Sequence, residues 1–277
     1  MAINNIDENN RARDRLVGQL RAGRLIGCTG AGLSWWAGYP LWKDVVSRLA
    51  GEVKRRRPGE INVEAVLQHY DKDLLLCAQR LGNDLPAPAF AEFIRTEFGP
   101  KAQTPHDILL RTAALPLRHV LTLNFDTSYE TAVKAIRQTC GTISPNERGA
   151  LAIFLRDMHE PEYPRHAVHL HGKFDDPIEQ IALTDAGYDS FYRGNPLFEN
   201  FVWTMSAKRL VFLGFGFSDT QFTGLLNRYA RDVRGTGPNH FGLIPLRPEL
   251  DDNGQRAILG EKYLVDPGVV PWAETNS

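Results

Sequence analysis

Cysteine is scarce: 277 residues contain three, Cys28, Cys77 and Cys140. No two have zinc-ligand spacing, and an odd, scattered set argues against a disulfide framework. A reducing cytosol is therefore the expected compartment. Charge of one sign is lacking too. Thirty-two Lys and Arg against 33 Asp and Glu leave a net charge of -1, so no global basic field argues for direct nucleic-acid binding. No segment approaches the ~20 apolar residues that span a bilayer. The opening Met1-Ala2-Ile3-Asn4-Asn5 is polar, unlike the apolar stretch of a signal peptide. No membrane partner is expected. The clearest basic run, Lys54-Arg55-Arg56-Arg57, reads as the solvated end of a helix or as a contact surface.

A hydrophobic content of 43% is enough for a sizeable core. The length suits one large domain, or one domain with an insertion. Short apolar runs at Arg24–Cys28, Arg118–Leu123, Ala167–Leu170 and Arg209–Leu213 read as buried strands. Phe241–Ile244, with Tyr263–Val265 or Val269–Val270, can finish a sheet. Helical patterns lie between them, over 7–22, 41–53, 127–138, 185–192, 196–207 and 219–231. Residues 60–115 show helices without a strand, at 61–70, 73–82, 88–98 and 105–114. Residues 141–165 are loop-rich and show no clear element. Alternating strands and helices predict an α/β fold, a doubly wound and mostly parallel Rossmann-like sheet. The expected organisation is a single domain over 1–277, with a helical insertion at 60–115.

Four short pieces follow predicted strands. They are Gly30-Ala31-Gly32-Leu33-Ser34, Asn124-Phe125-Asp126, His171-Gly172, and Gly214-Phe215-Gly216-Phe217-Ser218-Asp219. Loops at the carboxyl ends of parallel strands meet in one crevice. Glycine turns let backbone approach a pyrophosphate closely, and helix starts favour its charge. The same turns also serve as plain strand-to-helix connections. Asn124 and Asp126, two apart, share one side of an extended segment. The pair suits a ribose, although Asp126 also reads as a helix cap. His171 suits proton transfer near neutrality or a structural role. His169 would face the same side, but no third ligand nearby completes a metal site, so no metal is expected. Asp219 and Ser218 read equally as caps. Trp35, Trp36, Tyr39 and Trp42 could pack over a planar ring or within a core.

With those pieces in order, the chain resembles the sirtuin superfamily from about residue 20 to 272. Gly30–Ser34 matches the family's GAGxS, Asn124-Phe125-Asp126 its Asn-x-Asp, and His171-Gly172 its catalytic His-Gly. Gly214 through Ser218 resembles its later glycine-serine loop. Residues 173–200 hold no cysteine, whereas the protein deacylases carry a four-cysteine zinc ribbon there. Gly38-Tyr39-Pro40-Leu41-Trp42 also replaces the deacylases' Gly-Ile-Pro-Asp-Phe-Arg type of segment. Both departures look like the bacterial sirtuin-like NADases of anti-phage defence.

The resemblance implies NAD+ as substrate and hydrolysis of its nicotinamide–ribose bond. Asn124 would position ribose and water. Asp126 would bind the nicotinamide amide or stabilise the cation. His171 would contact ribose hydroxyls and act as general base. Gly30, Ala31, Gly32 and Ser34 would take the pyrophosphate, and Gly214, Gly216 and Ser218 the adenosine half. The sensing domains fused to several defence sirtuins are not expected within these residues. The resemblance therefore implies control by homo-oligomerisation or by a HerA-like hexameric ATPase partner. The rival readings are an NAD-dependent deacylase or ADP-ribosyltransferase, and a non-catalytic NAD or ADP-ribose binding subunit.

Overall fold

A computed structural model describes residues 6–69, 74–101, 104–183, 187, 189, 196–217, 219–233, 240–245, 259 and 265–270. Seven described strands form one sheet: β1 Leu25–Thr29, β2 His119–Thr122, β3 Gly141–Ile143, β4 His166–His169, β5 Arg209–Leu213, β6 His240–Pro245 and β7 Val265–Val270. Their order is β3-β4-β2-β1-β5-β6-β7. Every pairing among them is parallel. Leaving aside the edge strand β3, the chain winds outward from β1 in one direction, then crosses back to β5 and winds the other way. That reversal between β1 and β5 is the point where α/β sheets open a ligand crevice.

The strands alternate between two cores, because successive side chains leave opposite faces. Ile26, Cys28, Leu121, Val168, Leu210 and Phe212 enter one cluster, with Phe154, Phe198, Phe201 and Phe222 packed on them. Leu25, Val120, Ala167, Val211, Leu213 and Phe241 enter the other. Burying each of those phenylalanines contributes roughly 2–3 kcal/mol. The covering helices are α1 Ile6–Arg21, α2 Ala31–Ser34, α3 Trp42–Arg56, α4 Val63–His69, α5 Leu74–Asn83, α6 Ala87–Phe98, α7 Asp107–Ala114, α8 Ser128–Ala135, α9 Arg148–Asp157, α10 Pro196–Ser206 and α11 Thr220–Asp232.

Four helices stand between α3 and β2, where the sequence pattern shows helices without a strand. With α3, helices α4 to α6 build a third cluster from Val45, Leu49, Val53, Val63, Leu81, Phe90, Ile94 and Phe98. Phe125, the middle residue of Asn-Phe-Asp, belongs to this cluster and meets the Phe98 ring edge-on at 5.0 Å. The Lys54–Arg57 run ends α3 and is neutralised. Lys54 pairs with Glu64, Arg55 and Arg56 with Glu52, Arg56 also with Glu92, and Arg57 with Glu60.

Residues 141–165, loop-rich in sequence and without a clear pattern, hold β3 and α9. β3 is three residues at the sheet edge, too short for a periodic signal. The first glycine turn also enters helix sooner than expected, running straight into α2. Most of the helix expected at 185–192 lies outside the described residues, as does Ser218.

Candidate active site

The Gly30 turn, Asn-Phe-Asp, His-Gly and the Gly214 loop sit at the carboxyl ends of β1, β2, β4 and β5, the four central strands. Asn124 Nδ2 donates to the Gly30 carbonyl at 3.0 Å and to Ser34 Oγ at 2.7 Å. Gly30 N–H donates to Leu213 O at 3.2 Å, and Gly32 N–H to Gly214 O at 3.0 Å. On the far side, His171 Nε2 lies 3.6 Å from Asp219 Oδ2. Phe174 N–H donates to Phe125 O at 2.9 Å, which ties the segment after His-Gly to Asn-Phe-Asp. The four pieces therefore touch in a closed ring. β4 and β5 are three strand spacings apart, about 14 Å, so their loops lean together to bring His171 to Asp219.

The glycines serve this ring. A Cβ at Gly32 would stand 2.9 Å from Gly214 O, and one at Gly30 2.8 Å from it. A Cβ at Gly214 would stand 2.2 Å from Leu33 N, in a backbone whose φ is +61°. The two glycine turns are thus pressed against each other, and two of their N–H groups are spent on that contact. Gly172 likewise turns with φ +80°, and a Cβ there would strike Gln180 O at 2.3 Å. Phe217 holds a left-handed φ of 54° without being glycine, a conformation that surrounding packing must enforce. Its ring packs on Phe212 and Phe215, both at 4.9 Å.

Asp126 is buried and its Oδ1 accepts from Ser128 N–H at 2.9 Å, at the start of α8. Burial raises its pKa, opposed by hydrogen bonds from Ser128 and Ser34. The cap reading and the site reading therefore meet in one residue. Ser34 Oγ and Ser128 Oγ stand 3.3 Å apart beside it. Asp219 caps α11, accepting from Phe222 N–H at 2.7 Å.

His171 is 3% exposed. Burial lowers its pKa, against the opposing pull of Asp219, so the ring is neutral near pH 7 and able to accept a proton. His169 does not join it. Its Nε2 meets Glu130 Oε1 at 2.7 Å and its Nδ1 meets the Asn124 carbonyl at 2.9 Å, all in buried surroundings. Burial pulls the His169 pKa down, but the Glu130 charge and hydrogen bond win and raise it. Glu130 is shifted the other way: burial would raise its pKa, and His169 lowers it. A charged pair under Asn124 follows, with Glu130 Oε2 buried and without a hydrogen-bond partner among the described residues.

Glu130 and His169 were not among the candidates read from the sequence. The available signal was spacing: Glu130 falls four residues after Asp126, on the same side of a helical turn. Among the described residues no group of three or more His, Cys, Asp or Glu could hold a metal. Nor is any described helix long and apolar enough to cross a membrane.

Thr29, Leu33, Ser34, Thr122, Asn124, Asp126, Ser128, Tyr129 and Glu130 enclose a cavity of about 10 Å³. That is room for roughly one water, far below a nicotinamide riboside. Tyr39 is buried and near enough to Asp126 to feel its charge, second to burial in pushing the phenol up to about 12. Trp42 packs against the helical cluster. Trp35 and Trp36 are exposed, and Trp36 stacks at a tilt on His106, 5.1 Å away.

The SIR2-like domain profile matches residues 118–267. That span holds Asn-Phe-Asp, His-Gly and the second glycine loop. The NAD(+) hydrolase ThsA of Bacillus cereus (strain MSX-D12) is 25% identical over 223 residues, covering 78% of this chain and 42% of the relative. The ThsA of Acinetobacter baumannii (strain 532279) is 26% identical over 227 residues, covering 78% and 41%. Defense-associated sirtuin 2 of Bacillus subtilis is 25% identical over 210 residues, covering 75% and 19%. The matched part thus spans at most 42% of these relatives' own length. The profile covers more than half of the chain: the protein belongs to the SIR2-like domain family.

Proposed function

We propose that this protein is an NAD+ glycohydrolase, cleaving the nicotinamide–ribose bond to release nicotinamide and ADP-ribose, and that it depletes NAD+ in defence against phage. The observation that carries the proposal is the closed ring of Gly30–Ser34, Asn124–Asp126, His171 and Gly214–Asp219 at the sheet's switch point. Relatives named NAD(+) hydrolase support the same reading.

The C1′–N bond breaks with its electron pair moving to the pyridine nitrogen, so nicotinamide leaves neutral. Positive charge then builds on the ribose, as in glycoside cleavage. No strong general acid is needed. A water adds to C1′ and loses a proton, which neutral His171 is suited to take. Asn124, clamped by Gly30 and Ser34, orients ribose and water. Asp126 supports that clamp through Ser34 and Ser128 and adds negative charge near the cation. The glycine turns and Ser34 line the path of the pyrophosphate, with Gly216 and Ser218 toward the adenosine half.

The cavity of about 10 Å³ beside Asn124 and Asp126 admits water and not a nicotinamide riboside. This fits an enzyme held silent at rest and opened by self-assembly or by a partner ATPase, a control of the lid type. The test is nicotinamide release from NAD+, followed by chromatography, for wild type, His171→Ala and Asn124→Ala, alone and with a candidate ATPase. Release lost in both variants is expected. Wild-type release persisting in His171→Ala, or transfer of an acyl group or ADP-ribose in place of hydrolysis, would overturn the assignment.

A further inference from the structure

A second cavity lies at the opposite end of the sheet. It measures about 420 Å³ and is lined by Gly23, Arg24, Leu25, Ile26, Arg118, His119, Met158, His159, Ala207, Lys208 and Arg209. Arg24, Arg118 and Lys208-Arg209 mark the amino ends of β1, β2 and β5, the strands whose carboxyl ends carry the first glycine turn, Asn124 and the second glycine loop. We propose that this cleft is a binding site for a nucleoside phosphate, separate from the crevice at the carboxyl ends.

Charge carries the argument first. Four of the lining residues are cations and none is a carboxylate, in a chain whose charges nearly cancel. Several arginines elsewhere have carboxylate partners, among them Arg48, Arg55, Arg56, Arg57 and Arg111. Arg24, Arg118 and Arg209 have none among the described residues. A concave wall concentrates such a field and draws anions to it.

Pre-organisation comes second. The Arg118 guanidinium donates from Nε and Nη2 to the Tyr163 carbonyl, at 3.2 and 2.8 Å, and from Nη2 to the Pro161 carbonyl. That fixes the plane of the fork and leaves Nη1 without a hydrogen bond among the described residues. A planar, held guanidinium is suited to phosphate oxygens. Lys208 Nζ meets His159 Nε2 at 3.0 Å. Burial, Lys208 and Arg118 lower the His159 pKa, with Glu160 opposing weakly, so His159 takes the bond as a neutral acceptor.

Size and wall come third. Ligand pockets typically enclose ~300–1,000 Å³, and about 420 Å³ suits a mononucleotide. Leu25, Ile26 and Met158 offer apolar wall, and the His159 ring is an exposed plane on which a base can stack.

The test is calorimetric titration of the full chain at low salt with AMP, adenosine and inorganic phosphate. Wild type should bind AMP, with adenosine at least about tenfold weaker and affinity falling as salt rises. Arg24→Gln/Arg209→Gln should weaken AMP by about tenfold or more, with an unchanged unfolding midpoint. Asn124→Ala should leave AMP binding intact. The proposal fails if AMP gives no binding, or if the double variant binds like wild type. Phosphate binding as tightly as AMP, or a single-stranded oligonucleotide binding far tighter through the same arginines, would also overturn it. No turnover is read, so the outcome is independent of NAD+ hydrolysis.

Discussion

Substituting Gly214 by alanine separates two explanations of the glycine turns. If the glycines exist to admit a pyrophosphate, Gly214→Ala leaves the free protein intact and weakens NAD+ alone. If they exist to let two loops touch, the free protein is destabilised. The structure supports the second. An alanine Cβ would stand 2.2 Å from Leu33 N, 2.7 Å from Gly32 C and 2.9 Å from Leu33 Cα. All three are backbone atoms, so no side chain can swing aside. The left-handed φ of +61° adds its own penalty, about 1–2 kcal/mol for a residue with a Cβ. Overpacking adds roughly 1–3 kcal/mol. The expected loss is about 2–5 kcal/mol, a large share of the ~5–15 kcal/mol that holds a domain together. Urea unfolding of the ligand-free protein measures it. Gly51→Ala is the control: Gly51 lies within α3 with nothing within 4 Å of an added Cβ, and alanine there should stabilise by about 0.5–1 kcal/mol. A Gly214→Ala protein within about 0.5 kcal/mol of wild type would refute the reasoning.

Other perturbations test the surrounding contacts. Glu130→Gln breaks the buried pair with His169 and should cost roughly 3 kcal/mol. Because the His169 pKa is raised above 6.5, its share of stability is full below that value and is lost as pH rises through the folded pKa. Because the Glu130 pKa is lowered below 4.5, its share is present above that value and is lost as pH falls through the folded pKa. The deficit of Glu130→Gln, read by urea unfolding across pH, should therefore be widest between about 4.5 and 6.5; a flat deficit would count against the pair. Asp219 opposes the burial that lowers the His171 pKa, so Asp219→Asn should move the acid limb of the pH–activity profile to lower pH. Asparagine keeps the cap of α11, and an acid limb that stays put would exclude His171 as the titrating base. Phe125→Ala should cost about 3–5 kcal/mol and reduce NAD+ turnover as well, since Phe125 seats the turn carrying Asn124 and Asp126 in the helical cluster.

Much of the architecture was legible because its strands are short, apolar and bounded by glycine or basic residues. Arg209–Leu213 matches the structure residue for residue. The helices before β2 were legible through periodicity and through breaks such as Gly99-Pro100, where α6 ends. β3 and α9 were not, because a three-residue edge strand has no period and Gly149, a poor helix former, stands in the first turn of the helix that follows. Within the site, motif residues stood out while their supports did not. Glu130 looks like an ordinary acidic residue in a helix's first turn, and only the fold brings His169 beneath Asn124. The amino-end cleft was hidden for a related reason. Arg24, Arg118 and Lys208-Arg209 each precede a different strand, so their clustering exists only once those strands lie side by side.

The closed ring of loops has a consequence for how the molecule comes into being on the ribosome. Its first arc, at Gly30, is synthesised well before its closing arc, Gly214 to Asp219. A nascent chain that has not yet delivered β5 has no backbone to accept the Gly32 N–H and no carboxylate beside His171. Every incomplete product of translation, and every fragment cut before residue 213, lacks the assembled crevice. A cell making a chain with this architecture is exposed to whatever chemistry the crevice performs only after the segment from Gly30 through Asp219 has been translated and folded.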